Sequence, residues 1–327
     1  MSSSGRWRGR RPTMDEIMVR WAGRRRAAGR KAWIAWVPWA VLIAARPLQA
    51  QFTAAESALA RFDAEVAAAV VEDGAGAVSV AVFRGGDVFW TKGWGWADIE
   101  HAVPAGARTI GRTGSISKTF TATLLMELVE RGLVALDDPV EDYLPEVADL
   151  ADPPEGARPI TFRMLASHTA GLVREPDLEG AASGSIYRWE EKVLESIPHT
   201  GFGTPPGTEY SYSNIGFGIL GLALSRAAGR PFMELMETLV FRPLGLESTT
   251  YIVNTPDRLA RLSVGYARDR RTGEVSAEQA TREHFGRGYK VPNGGIYSTV
   301  GDMAAFAPPP SWARAPSRSS ARRAGGR

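Results

Sequence analysis

Residues 114–122 have the sequence GSISKTFTA, and they open the helix on which the interpretation of the whole chain depends. Helical spacing of apolar residues over 117–131, followed by Gly132, predicts one well-defined helix. Its buried face is predicted to consist of Phe120, Leu124, Leu125 and Leu128. Since residues three apart in a helix share a face, the Ser115 hydroxyl and the Lys118 ammonium are expected to meet at the helix N-terminus.

Ser115 and Lys118 have the chemistry of an activated nucleophile. A helix N-terminus offers partial positive charge and free backbone N–H groups where an oxyanion would develop. A lysine close to that charge has a lowered pKa, and its neutral amine can act as a base. Taken alone, a Ser-x-x-Lys pattern is weak, because a capping serine followed by a solvated lysine has the same spacing.

A second group of polar residues, Tyr212-Ser213-Asn214, lies between the turn Pro205-Pro206-Gly207 and a helix predicted over 215–228. A phenol can accept and donate a proton, and an asparagine amide can hold both neighbouring groups and a substrate amide. The alternative for Tyr212 is an aromatic packing residue in the turn. Tyr210 is close by, but only Tyr212 has an asparagine two residues later.

These residues, in this order, resemble the serine β-lactamase and penicillin-binding-protein superfamily, specifically its class C β-lactamase-like branch. The resemblance covers roughly residues 55–306. It rests on six segments: GSISKTFTA at 114–122, RGLVALDDPVEDYLPE at 131–146, ITFRMLASHTAGL at 160–172, TPPGTEYSYSNIGFGILG at 204–221, PLGLESTTY at 243–251 and NGGIYSTVGDMAAF at 293–306.

The resemblance implies a mixed α/β (α+β) fold of the β-lactamase/transpeptidase type. An antiparallel sheet flanked by helices is expected, with a mostly helical subdomain over roughly 133–290. It also implies a serine hydrolase that forms an acyl-enzyme on a small-molecule or peptide substrate (an amide, β-lactam or ester), without cofactor or metal. Ser115 would be the nucleophile, Lys118 its activating partner and Tyr212 the base and acid, while Asn214 would complete the polar network.

One expected element of the family is missing from the sequence. The third motif, Lys or His followed by Thr or Ser, any residue and Gly, does not occur after residue 306. Residues 307–327 are rich in Arg, Pro, Ser and Ala and are predicted to be a disordered tail. We therefore expect a C-terminally truncated chain that lacks its last strands and is impaired in catalysis. The alternatives are a non-catalytic remnant that binds cell-wall peptide and an unstable product of a frameshifted gene.

Residues 1–50 are predicted to be a basic leader and signal peptide, followed by the β-lactamase-related domain over 51–306. A positively charged segment ends at Lys31, 32–45 are apolar, and Leu48-Gln49-Ala50 is a suitable cleavage site. The expected location is secreted or periplasmic. An uncleaved membrane anchor is the alternative, and it would be the chain's one contact with a membrane.

Charge and composition exclude several other functions. Residues 1–50 carry 11 Lys and Arg against 2 Asp and Glu, and the tail adds five Arg, whereas acidic residues predominate in between. An acidic body offers no binding surface for nucleic acid. The chain has no cysteine and four histidines, which excludes disulfides and thiolate ligands and argues against a histidine-rich metal site. The oligomeric state is left open.

The remaining patterns predict the rest of the framework. Residues 55–72 are expected to be helical, and 77–83 with 87–91 are expected to form a hairpin followed by a Gly- and Trp-rich loop. Loops are expected over 133–160. They are followed by a short helix capped by Thr161, and another helix is expected from Pro231 to about Val240.

Three further signals have a functional and a structural interpretation. The GxGxxG pattern at 216–221 lies inside a predicted helix, so close packing is favoured over dinucleotide binding. His168 is expected to be a hydrogen-bonded structural residue. The tryptophans at 90, 94 and 96 are interpreted either as packing residues or as a stacking platform.

Overall fold

The computed structural model describes residues 37–74, 76–84 and 87–307. The chain divides into two units, Met1–Phe62 and Asp63–Arg327. Helix α1, Val37–Asp73, includes the helix predicted over 55–72. In the described ranges, no helix is long and apolar enough to cross a bilayer. The predicted positive segment of the leader and most of the tail lie outside the described residues.

The predicted hairpin is present and, with a third strand, forms the largest sheet among the described residues. Strands β1 (Ala77–Arg84), β2 (Asp87–Asp98) and β3 (Val103–Pro104) are antiparallel in the order β1-β2-β3. The prediction of a loop after residue 91 is wrong, because β2 continues to Asp98. Its glycines permit close approach: a Cβ on Gly93 would lie 2.5 Å from the Gly106 Cα.

Helix α2, Ser117–Glu130, follows the prediction closely. All four residues of its predicted face are at most 1% exposed. The segment after it consists of loops and short 3₁₀ turns, as expected. The next helix, α3 (Phe162–Ala166), begins at Thr161, whose hydroxyl accepts a hydrogen bond from the Met164 N–H at 3.3 Å. This bond satisfies one of the free N–H groups at the helix start.

Helix α5, Asn214–Ala228, lies in the core of the molecule, and most of its length is buried. It ends at Gly229, whose φ of +61° is the left-handed conformation that glycine adopts readily. The GxGxxG glycines lie inside this helix. A Cβ on Gly218 or Gly221 would collide with Tyr289 or Pro292, so these glycines serve close packing, as predicted.

The other elements complete a mixed fold of helices and small antiparallel sheets, which confirms the predicted fold class. The predicted helix from Pro231 is α6 (Phe232–Met236), extended by a π-helical turn (Glu237–Phe241). Strand β4 (Gly111–Arg112) pairs with β7 (Tyr297–Ser298). The remaining elements are α4 (Trp189–Ser196), α7 (Pro256–Ala260), β5 (Ala267–Arg268), β6 (Val275–Ser276), α8 (Glu278–His284), α9 (Val291–Gly294) and α10 (Val300–Phe306).

Contacts with the segment 291–298 fix the position of the start of helix α2. Helix α9 packs against both α2 and α5, and so joins segments that are far apart in the chain. The β4–β7 pair is extended by Thr113, whose N–H donates to the Ile296 carbonyl at 2.9 Å. Ser117 accepts a hydrogen bond from the Ile296 N–H at 3.2 Å. The start of α2 is therefore held from two sides by the segment 291–298.

Candidate active site

The start of helix α2 brings Ser115 and Lys118 together as predicted. Gly114 has a φ of +54°, and it leads into a 3₁₀ turn, Gly114–Ile116, that continues as α2. Lys118 Nζ donates a hydrogen bond to Ser115 Oγ at 3.3 Å. Lys118 is only 5% exposed, so its amine is confined to the interior face of the helix.

Tyr212 is a second hydrogen-bond partner of Ser115. Its hydroxyl donates a hydrogen bond to Ser115 Oγ at 2.8 Å. The next residue, Ser213, is the N-cap of α5, and its hydroxyl accepts a hydrogen bond from the Gly216 N–H at 2.9 Å. The cap fixes where the chain enters the helix, and it thereby positions Tyr212 beside Ser115.

Asn214 is a second hydrogen-bond partner of Lys118. Its Oδ1 accepts from Lys118 Nζ at 2.7 Å, and its Nδ2 donates to Glu175 Oε1 at 2.6 Å. Both ends of the amide are thus used, and its orientation is determined. The structure brings all four predicted site residues into one hydrogen-bonded cluster.

The cluster changes the proton affinities of its two titratable members. Burial lowers the pKa of Lys118, and the nearby Arg174 acts in the same direction, against the smaller opposing influence of Tyr212 and Glu175. Burial alone would raise the pKa of Tyr212, but the Lys118 ammonium, the Ser115 hydroxyl and Arg174 together outweigh it, and the pKa is lowered. Both groups are therefore shifted toward their deprotonated forms.

Two residues of the cluster were not predicted. Asn293 accepts from Lys118 Nζ through its backbone carbonyl at 3.2 Å, and its Nδ2 donates to the Asn214 carbonyl at 2.8 Å. It lies in the segment 293–306 that carries the family resemblance, which is the signal that could have found it. Glu175 holds Asn214 and also contacts Lys290 Nζ at 3.2 Å. No sequence pattern distinguishes it from other acidic residues.

His168 lies beside the cluster and has the structural role that was predicted. Its Nδ1 accepts a hydrogen bond from the Ser213 N–H at 3.1 Å, and its ring lies 4.4 Å from that of Tyr212, centre to centre. Burial, and secondarily the Lys118 charge, lowers the pKa of His168 to about 4. The ring is therefore neutral at pH 7, as an acceptor must be.

The three tryptophans do not form one exposed platform. Trp94 is buried at 7% exposure and its Nε1 donates to Asp63 at 2.9 Å, whereas Trp96 is 46% exposed. Packing is the better interpretation for Trp94. In the described part of the chain, no group of three His, Asp or Glu side chains is arranged to hold a metal ion.

Comparison with known proteins agrees with this geometry. A sequence model of the Beta-lactamase family matches residues 62–326, which extends beyond the segments that suggested the resemblance. The solved class C beta lactamase from Rhodobacter sphaeroides has 27% sequence identity and a TM-score of 0.55, covering 73% of this chain and 62% of that one. The chain belongs to the Beta-lactamase family, within the serine β-lactamase and penicillin-binding-protein superfamily.

The curated relatives are diverse hydrolases. The D-alanyl-D-alanine-carboxypeptidase/endopeptidase AmpH of Escherichia coli (strain K12) is 34% identical over 197 residues, covering 60% of this chain and 47% of AmpH. Esterase EstB of Burkholderia gladioli is 33% identical over 200 residues, covering 57% of this chain and 49% of EstB. The chain thus spans about half the length of these relatives.

Proposed function

We propose that this protein is a serine hydrolase that forms an acyl-enzyme at Ser115. One observation carries the proposal: a single serine hydroxyl, at a helix start, accepts hydrogen bonds from both Lys118 and Tyr212. The pKa values of both groups are lowered, which favours their role as proton acceptors. Family membership supports the same reaction class.

In the proposed reaction, Ser115 Oγ attacks a carbonyl carbon while its proton passes to the Lys118–Tyr212 pair. The new C–O bond gives a tetrahedral oxyanion at the start of α2, where N–H groups lack intrahelical acceptors. Collapse breaks the bond to the leaving group, which takes a proton from Tyr212. Water, deprotonated by the same pair, then attacks the acyl carbon. The bond from that carbon to Ser115 Oγ breaks, and the pair returns the proton to Ser115. Asn214 keeps the Lys118 amine aimed at the nucleophile.

The proposed substrate is a small molecule or peptide with an amide, β-lactam or ester carbonyl. All three share an acyl carbon that a serine can attack, and the relatives named above are a carboxypeptidase/endopeptidase, an esterase and a β-lactamase. Export to the periplasm or medium is proposed from the leader, with Gln51 at the mature N-terminus.

The test is covalent labelling of the full chain with a fluorescent penicillin and a fluorophosphonate, followed by intact mass. We expect one adduct, which Ser115→Ala abolishes, whereas Ser263→Ala, a serine outside the cluster, retains it. An adduct that persists in Ser115→Ala would refute the assignment. Folded protein without any adduct, established by a cooperative thermal melt, would favour the binding function, and loss of the melt would favour the unstable gene product.

A further inference from the structure

A small cavity adjoins the strand pair that leads to the nucleophile. Its volume is about 20 Å³, which is enough for one water-sized species. Arg112 and Tyr297 are cross-strand partners in β4 and β7, and both line the cavity. Tyr251 and Arg287 line it from neighbouring segments. None of these residues takes part in the proposed reaction.

Three polar donors in this lining are buried and reach no acceptor in the described part of the chain. They are the hydroxyls of Tyr251 and Tyr297 and the Nε of Arg287. The Arg112 guanidinium approaches the Tyr297 hydroxyl, but a guanidinium can only donate, so the proton of that hydroxyl still lacks an acceptor. The two tyrosines are only 5% and 6% exposed. Burial raises the pKa of both hydroxyls, so they keep their protons and can donate. Buried donors without acceptors are rare in proteins, and three around one cavity indicate a missing acceptor.

The lining also carries an excess of positive charge. Arg112 and Arg287 both pair with one carboxylate, Glu283, and these three side chains are 25%, 20% and 18% exposed. His284 lines the cavity as well, and burial lowers its pKa, so it is neutral at pH 7. Two guanidinium groups against one carboxylate leave a positive charge that solvent screens only in part.

We propose that this cavity binds a small monovalent anion, such as chloride, held by the Arg287 Nε–H and the hydroxyls of Tyr251 and Tyr297. A halide accepts from all three donors and supplies the missing negative charge. A water molecule has two lone pairs and two hydrogens that need acceptors of their own, and it leaves the charge unbalanced. Because Thr113 follows Arg112 and bonds to Ile296, the anion stabilises the strand pair beside Ser115.

The first test is thermal unfolding of the full chain in sodium chloride and in sodium gluconate at constant ionic strength. Above the dissociation constant, each tenfold rise in chloride is expected to raise the midpoint by about 3 °C, while gluconate, too large for the cavity, leaves it unchanged. Equal behaviour in both salts would overturn the proposal and leave a water molecule as the occupant.

The second test locates the site. Tyr297→Phe removes one donor and is expected to weaken chloride binding about tenfold, whereas Tyr187→Phe, at a tyrosine that is 71% exposed, keeps the wild-type response. An equal chloride response in both variants would overturn the assignment. If Tyr297→Phe does not fold, wild-type crystals grown in bromide decide: an anomalous peak in the cavity supports the anion, and its absence contradicts it.

Discussion

The cluster around Ser115 and the hairpin β1–β2 belong to one unit but are built in opposite ways. In the cluster, Lys118, Asn214 and Asn293 are at most 9% exposed and are joined by hydrogen bonds. In the hairpin, Val88 and Phe89 are 40% and 57% exposed, and β1 pairs with β2 alone among the described strands. Catalysis requires groups held to within a fraction of an ångström, and only the buried network provides that.

The largest expected effect breaks the cluster itself. Lys118→Ala and Tyr212→Phe should each lower kcat/KM for a chromogenic ester or cephalosporin by about 10²–10⁴, because each removes a group that moves the Ser115 proton. The double variant should lose little more than either single one, since the groups act as a unit. Tyr210→Phe, two residues away and outside the cluster, is the matched control. If the losses of the two single variants add fully in the double variant, Lys118 and Tyr212 do not act together.

A matched pair of phenylalanines compares the two regions directly. Phe120 is fully buried and stacks on Phe306 with ring centres 3.6 Å apart, so Phe120→Ala should lower the free energy of unfolding by about 3–5 kcal/mol. Phe89 in the hairpin is mostly exposed, so Phe89→Ala should change it by about 0.5 kcal/mol or less. Chemical denaturation measures the free energy of unfolding of both variants. Similar losses in the two would contradict the difference in packing between the buried region and the hairpin.

The neutral His168 makes the cluster sensitive to acid. Its pKa is about 4 in the folded state against about 6.5 when unfolded, so the unfolded chain binds more protons between these values. Stability contributed by the neutral ring is therefore complete above pH 6.5 and is lost as the pH falls toward 4. His168→Asn, which tolerates the left-handed φ of +59°, should flatten this dependence. Urea unfolding at several pH values tests it, with His199→Asn as the exposed control.

The smallest expected effect concerns Glu175. Its negative charge favours protonated Lys118, so Glu175→Gln should lower the Lys118 pKa further. If the neutral amine is the active form, the acid limb of the pH profile of kcat/KM moves to lower pH, although the substituted side chain can still contact Asn214. Glu179→Gln, a nearby acidic residue without that contact, should leave the limb in place. A shift to higher pH would show that Glu175 does not act through Lys118.

Several elements could be predicted because their signals are local. Helix α2 was predicted from apolar periodicity and a glycine stop, α3 from its cap Thr161, and α5 from the turn before it and the glycine at its end. The extent of β2 was not predicted, because Gly93 and Gly95 indicate a loop unless the chain that approaches them is known. What makes those glycines part of a strand is the backbone at Gly106 and Gly76, which lies next to them only in the folded protein.

By itself, the sequence identified the proposed nucleophile, its lysine, the Tyr-x-Asn turn and the family, because these depend on helical spacing and on short motifs in a specific order. Only the tertiary structure decided which groups orient them. Asn293 and Glu175 reach Asn214 from 79 and 39 residues away. The three donors around the Arg112–Tyr297 cavity that reach no acceptor in the described part of the chain, on Tyr251, Arg287 and Tyr297, likewise come from three separate segments. Burial and long-range contacts arise only when helices and strands pack, and no spacing within one segment encodes them.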